Sequence, residues 1–338
     1  MTFNNQEWLN QVTEEPIDPG RRICDPHHHL FIRRPNTEVN YFQSKFASEI
    51  ATSGHNVVST VYIECRAMYR NDGPNELKPV GEVEFANGQA AMAASGLYGN
   101  TKICAGIIGY ADLRLGASVG SVLDAELAAA GNRFKGIRFA GTWNEDPKIR
   151  NGSNNPINNQ FQDTGFREGF GELRTRNLVF EAWCYHTHID QVTSLARAFP
   201  DTVIILNHFG GPIGVGPFAK KRQEVFTKWQ FDMEELSTCE NVYAKLGGLQ
   251  MDVNGFGWHK RAMPPSSIEL MKATKPWHYH TIDSFGTKRC MFESNFPVDK
   301  FSCSYGVLWN SFKRMTEKFS PSEKAALFHD NATKVYGI

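Results

Sequence analysis

The sequence predicts a single α/β domain folded as a (β/α)8, or TIM, barrel, and three observations predict it. Short apolar, β-branched runs alternate with helix-period segments, and eight such runs occur, at 23–25, 57–64, 103–110, 134–139, 178–185, 202–207, 241–246 and 289–293. Most are apolar at nearly every position, the pattern of strands covered on both faces. No shift in composition divides the 338 residues. No Gly-x-Gly-x-x-Gly comes after an early run, which sets a doubly wound open sheet behind the barrel.

Helical spacing fills the gaps at 82–95, 118–130, 164–175, 189–199, 218–236, 266–285 and 304–319. A last helix is expected over 321–335, opened by a Ser320 cap with Pro321 in its first turn. Longer irregular stretches, at 31–45, 65–80, 140–162 and 247–264, come after the first, second, fourth and seventh runs. In a barrel they would wall the C-terminal mouth, bringing Arg66, Tyr69, Trp143 and Trp258 to it. Residues 1–21 read as an N-terminal extension and 22–338 as the barrel domain.

Composition excludes several classes. Hydrophobic residues make up 41% and aromatics 12%, enough for a sizeable core, and 36 basic residues balance 36 acidic ones. Such neutrality points to no nucleic-acid or anionic-membrane partner. No apolar run reaches the ~18 residues of a membrane helix. The polar start, with Glu14, Glu15 and Asp18, lacks the layout of a signal peptide. The seven cysteines form no Cys-x-x-Cys pair. Cys24, Cys104, Cys184 and Cys290 sit in apolar runs as small hydrophobes, so a reducing, cytoplasmic setting is expected. A nucleophilic role for Cys65 or Cys184 stands behind the histidine chemistry.

A barrel carries its active site where the strands end, so the residues at the end of each run are informative. The first run leads into Asp25-Pro26-His27-His28-His29. Strand alternation puts His27 and His29 on one face and His28 on the other, and two adjacent imidazoles make half of a divalent metal site. Later runs end in or lead to Glu64, Arg138, His186, His208, Glu293 and Asn295. His186 shares parity with Phe180, Ala182 and Cys184 and is expected to face the interior. His208 shares a face with Ile204 and Leu206, precedes a Gly-Gly-Pro turn, and suits acid/base or carbonyl-polarising work. Arg138 reads either as a bidentate grip on a substrate carboxylate or as a salt bridge to Glu64 or Glu293. Glu64 and Glu293 are charges within apolar runs, costly unless paired, metal-bound or wet. Lys245 reaches the mouth or not according to a parity the pattern leaves open. His188 reads as a helix cap, and His259, His278, His280 and His329 as surface or packing residues.

Asp25-Pro26-His27-His28-His29, Asn207-His208-Phe209-Gly210-Gly211-Pro212 and Glu293-Ser294-Asn295-Phe296-Pro297, in that order at strand ends, together resemble the amidohydrolase superfamily. The resemblance is to its branch of TIM-barrel lactonases and related decarboxylases. Phe134-Lys135-Gly136-Ile137-Arg138 is similar to that branch's fourth strand, and the likeness spans roughly residues 22 to 337. It implies that His27 and His29 are the first-strand metal or substrate pair, and that His186 and His208 stand at the fifth- and sixth-strand histidines. Asn295 then occupies the place of an eighth-strand aspartate used as metal ligand and general base. An amide does neither well near neutral pH. Glu293, two residues earlier, is the expected replacement, with Asp299 the second candidate.

The reading is a hydrolase that opens a small lactone or related carboxylic ester. Zn2+ on His27, His29 and His186 would activate water, His208 or Glu293 would move the proton, and Arg138, Glu64 and Asn295 would contact substrate. The partner is a small carboxylate or lactone. A metal-free site is the alternative the same branch allows, as are decarboxylation, lactone isomerisation, or a silent binding protein that lost its base. The aromatic C-terminal segment with Trp309, Phe312 and Phe319 would pack either on the barrel or on a second copy in a homo-oligomer.

Overall fold

The computed structural model describes residues 5–32 and 40–338, so part of the expected loop at 31–45 lies outside the described residues. Eight parallel strands run in sequence order around one sheet: β1 (Ile23–His28), β2 (Val57–Ile63), β3 (Lys102–Gly109), β4 (Phe134–Ala140), β5 (Val179–Trp183), β6 (Ile204–Leu206), β7 (Val242–Leu246) and β8 (Cys290–Phe292). The ring approaches closure where the chain leaving β8 meets the end of β1. Asn295 N donates to His27 O at 3.0 Å and His29 N to Phe296 O at 2.7 Å. This is the (β/α)8 barrel the alternation predicts.

The helices are α1 (Gln6–Leu9), α2 (Gln43–Ser53), α3 (Val80–Ala94), α4 (Gly120–Ala130), α5 (Thr164–Thr175), α6 (Ile189–Ala198), α7 (Arg222–Ser237), α8 (Ser267–Phe285), α9 (Tyr305–Met315), α10 (Pro321–Ala325) and α11 (Asn331–Tyr336). The expected segments recur with shifted ends; the short α1 is an addition to them, and so is α2. It begins inside the stretch that reads as a loop, because Phe46, Ala47 and Ile50 make only a short apolar face among polar residues. Ser320 does cap the last helical segment, in a capping box with Glu323 that stabilises the end by ~1 kcal/mol. That segment is not one straight helix, for a π-turn over Ala326–Asp330 divides it. Trp309 and Phe312 are buried within the subunit's own helical layer.

The core has two shells. Between strands and helices lies the large one, where Phe180 meets Phe161, Phe166 and Phe170 edge-on. Inside the barrel lies a smaller one: Cys24, Val61, Ile63, Ile108, Val179, Ile205 and Met291, closed from below by Ala332 and Tyr336 of α11. Residues 5–21 lie against the barrel through contacts such as Ile17 N to Asn310 Oδ1 at 2.8 Å and Lys313 Nζ to Asp18 O at 2.9 Å.

His278 shows how burial couples this packing to pH. Its ring sits among Phe209, Phe292 and Phe312, and Nδ1 bonds to Thr274 O. Burial draws its pKa from 6.5 down to about 4. The unfolded chain therefore binds the extra proton first as pH falls, and the fold loses this contribution between pH 6.5 and 4. His278→Phe removes the loss. Urea unfolding of both proteins across that window is expected to show the variant gaining on the wild type as pH falls, by up to ~3 kcal/mol. An unchanged difference would contradict a buried neutral imidazole.

Candidate active site

The interior parity of each strand decides which side chains reach the mouth. On β5 the inward set is Val179, Glu181 and Trp183, while Phe180, Ala182 and Cys184 pack against the helices. The parity assigned to His186 therefore places it on the outer side. Its Nδ1 accepts from Ile213 N at 3.3 Å, its ring meets Phe218, and burial lowers its pKa to about 4. It does not join the other histidines.

β1 delivers His27 and His29 inward. A register shift between Asp25 and His28, around Pro26, brings them to the inward side that Cys24 occupies, and the two imidazoles lie with ring centroids 4.9 Å apart and Nε2 atoms 3.2 Å apart. His29 Nδ1 lies 2.8 Å from Ile63 O. A carbonyl only accepts, so Nδ1 carries the hydrogen and Nε2 offers its lone pair. Burial keeps both rings neutral, reinforced most by Lys245 for His27 and by Arg138 for His29. His28 points outward, 2.9 Å from Thr60 Oγ1 and against Phe46, its pKa pressed to about 3 by burial.

His208 reaches the site by a different route. Ile204 and Leu206, whose face it was expected to share, pack toward the helices, whereas Ile205 points inward. After β6 the chain runs through four residues of positive φ: His208 (53°), Phe209 (58°), Gly210 (61°) and Gly211 (45°). Left-handed backbone is unfavourable for the first two, and it departs from strand geometry at His208. His208 Nδ1 stands 2.6 Å from Glu293 Oε1 and its ring 4.4 Å from that of His27. Gly248, at φ 77°, passes so close that a Cβ there would lie 2.2 Å from His208 Nδ1.

Glu293, just past β8, is fully buried between the two histidines. Its Oε2 is 2.8 Å from His27 Nδ1 but off the hydrogen-bonding direction, so no donor among the described residues is aimed at it. Asn295 is turned away: its Nδ2 donates to Asp299 Oδ1 at 2.9 Å, and burial raises the Asp299 carboxyl well above its ordinary range. Arg138 makes the salt bridge rather than the free grip. Its Nε is 2.8 Å from Glu64 Oε1, Nη2 bonds to Glu64 O, and only Nη1 remains, 3.4 Å from His27 Nε2.

Two site groups escape the sequence pattern or are left open by it. Lys245 points inward from β7 and is completely buried, with Nζ 2.7 Å from Glu181 Oε2 and from Pro26 O, and 3.3 Å from His27 Nδ1. Glu181 also accepts from Tyr336 OH at 2.6 Å and Asn207 Nδ2 at 2.9 Å. A charge within an apolar run is the available signal at Glu181, the same one that marks Glu64 and Glu293. With Arg138 against Glu64 and Lys245 against Glu181, the carboxylate of Glu293 leaves this group of five formally at −1.

One ligand atom each from His27, His208 and Glu293 lie within 4.8 Å of one another. The His27 imidazole, which burial keeps neutral, the His208 imidazole beside it, a carboxylate with an oxygen lacking a donor, and a surplus negative charge form a donor set that fits a borderline cation such as Zn2+. The histidines the structure gathers about Glu293 are thus His27 and His208, with His29 beside His27.

A (β/α)8 barrel that gathers histidines and a carboxylate at its C-terminal mouth has the architecture of an enzyme, with a donor set that could hold a metal ion. The chain belongs to the amidohydrolase family (Amidohydro_2), which it matches over residues 24–338. It is 32% identical over 330 residues to the uncharacterized protein y4mH of Sinorhizobium fredii, covering 94% of this chain and 98% of that one. An L-fucono-1,5-lactonase of Burkholderia ambifaria is 23% identical over 294 residues, 80% of this chain and 87% of its own. Among solved structures, an amidohydrolase from Burkholderia multivorans with bound Zn superposes with a TM-score of 0.70 at 19% identity, over 94% of this chain and 99% of that one.

Gly248→Ala tests the site's geometry. The added methyl must displace His208 from Glu293, so kcat/KM on any substrate of the wild type is expected to fall on the order of a hundredfold, with the circular dichroism spectrum retained. Full activity in a folded variant would remove His208 from the machinery.

Proposed function

We propose that this amidohydrolase opens a small lactone or related carboxylic ester by adding water. The observation that carries the reading is the buried Glu293 carboxylate held between His27 and His208 at the barrel mouth. The lactonase relatives support it.

A divalent ion held by His27, His208 and Glu293, with Zn2+ the best match to these donors, would polarise the ester carbonyl and make water a stronger acid. Glu293 takes the place that Asn295 vacates in the family pattern: a carboxylate that accepts the proton of the attacking water and returns it to the leaving alkoxide. The 2.6 Å contact to His208 holds that carboxylate in one orientation while it does so. His29, fixed by Ile63 O, orients the edge of His27. Arg138 offers Nη1 alone, since Glu64 occupies its other edge, so a bidentate grip on a second substrate carboxylate is not available there. Of the small carboxylate or lactone substrates, the reading therefore favours a lactone with no carboxylate for Arg138 to grip. His186 is proposed as a structural residue of the β5 rim.

Protein expressed without a polyhistidine tag, measured by inductively coupled plasma mass spectrometry and assayed on a lactone panel, tests this. About one equivalent of divalent metal and a product heavier by one water are expected, with His27→Ala lowering kcat/KM by orders of magnitude. Release of CO2, or a product isomeric with the substrate, would replace hydrolysis by decarboxylation or isomerisation. Turnover that Asn295→Asp creates in an otherwise inert wild type would identify a silent binding protein.

A further inference from the structure

Lys245 is a cation set in the barrel interior directly beneath the histidine–carboxylate cluster. Its Nζ is held from below by Glu181 Oε2 and from the side by Pro26 O, each at 2.7 Å. Glu181 is held in turn by Tyr336, reaching up from α11, and by Asn207. All the side chains of this network are buried, so the ammonium cannot swing into solvent. The geometry leaves its remaining N–H pointing where a metal's ligands are: Nζ is 3.3 Å from His27 Nδ1 and 3.9 Å from Glu293 Oε2. Pro26 matters here because the irregular register around it turns a strand carbonyl toward the interior, giving the ammonium a second fixed acceptor.

We infer that Lys245 is a built-in competitor for divalent metal, a fixed cation whose position beside His27 and Glu293 limits how tightly, and how many, divalent ions the site holds. The inference rests on reading His27, His208 and Glu293 as a metal site. Two like charges a few ångströms apart in a low-dielectric interior repel strongly, and burial keeps away the solvent that would screen them. His27 Nδ1 lies within reach of the ammonium, and Glu293 Oε2 lies next to it. Lys245 is thus a positioning residue: it touches ligand atoms and sets the field at them. Glu181 pairs with it from the side of the barrel floor, so the ammonium itself is what Lys245 turns toward His27 and Glu293.

The test is metal affinity, read independently of turnover. Metal-stripped wild type, Lys245→Met, Tyr336→Phe and the double variant Lys245→Met/Glu181→Gln are titrated with Zn2+ against a chromophoric chelator, and bound metal is counted by mass spectrometry. Lys245→Met is expected to bind Zn2+ at least tenfold tighter than wild type or to take up one further equivalent. The double variant removes both charges while keeping an acceptor for Tyr336 and Asn207, so it serves where the single variant fails to fold. Tyr336→Phe alters the same network without changing charge and is expected to stay near wild type. Unchanged or weaker binding in the lysine variants, or an equal gain in Tyr336→Phe, overturns the inference. Wild type that binds no metal while the lysine variants bind one supports the competition and corrects the metal reading. Absence of metal from all four overturns both.

Discussion

The arrangement depends on one constraint, that the Glu293 carboxylate is buried away from bulk water and must find its partners within the protein. An isolated ionised carboxylate in an apolar interior costs far more than a small fold can absorb, so neighbours have to be brought to it. They come from different parts of the ring: His27 from β1, His208 from beyond β6 and Lys245 from β7. Meeting that requirement joins the two ends of the barrel sheet, because Glu293 leaves β8 just where the chain pairs with β1. The backbone bonds from Asn295 and His29 across this seam and the side-chain contacts of Glu293 are therefore parts of one closure.

The same problem is solved again around the mouth with other buried acids. Glu82 on α3 accepts from Cys65 N at 2.7 Å, Ala67 N at 3.0 Å, Arg66 N at 3.2 Å and Tyr62 OH at 2.7 Å. Burial, and then the charge of Glu64, raise its pKa to about 7. Four donors on one carboxylate lock the start of the loop after β2, and with it the position of Glu64 against Arg138. Asp25 does the corresponding work at the seam, taking hydrogen bonds from Ser294 N and Tyr305 OH. Its pKa is raised to about 6 by burial. Each acid anchors a loop that would otherwise leave backbone N–H groups unpaired.

Close approach is the second theme. Gly247 and Gly248 let the chain after β7 run against Glu293 and His208, where any side chain would collide with the site. Strained backbone at His208 and Phe209 is tolerated because the surroundings hold it: Trp229 Nε1 bonds to Phe209 O at 2.7 Å, and the Phe209 ring is buried. The strain redirects His208 into the cluster, which places it among the parts of the site that depend most on intact packing.

The barrel itself was legible in the sequence, because strands buried on both faces must be apolar throughout and their alternation with helices leaves few other topologies. So were His27 and His29, since a period of two is a local property of any strand, and Glu293, since a charge in an apolar run demands a partner. What alternation could not say was which face is the interior, for Phe180 and Ala182 on β5 and Ile204 and Leu206 on β6 turn toward the helices. His186 lies past the end of β5 on the outward register, and His208 enters the site through a left-handed turn that no alternation rule contains. The α2 helix went unread because its apolar face is short and its stability comes from packing on the barrel. Whether Arg138 grips substrate or Glu64, and whether Lys245 faces in or out, depended on distances between residues more than seventy positions apart. Local pattern determined the fold and the kinds of group at its mouth, while the pairing of those groups was decided only when the sheet closed, since electrostatic partners are chosen by proximity in space and not along the chain.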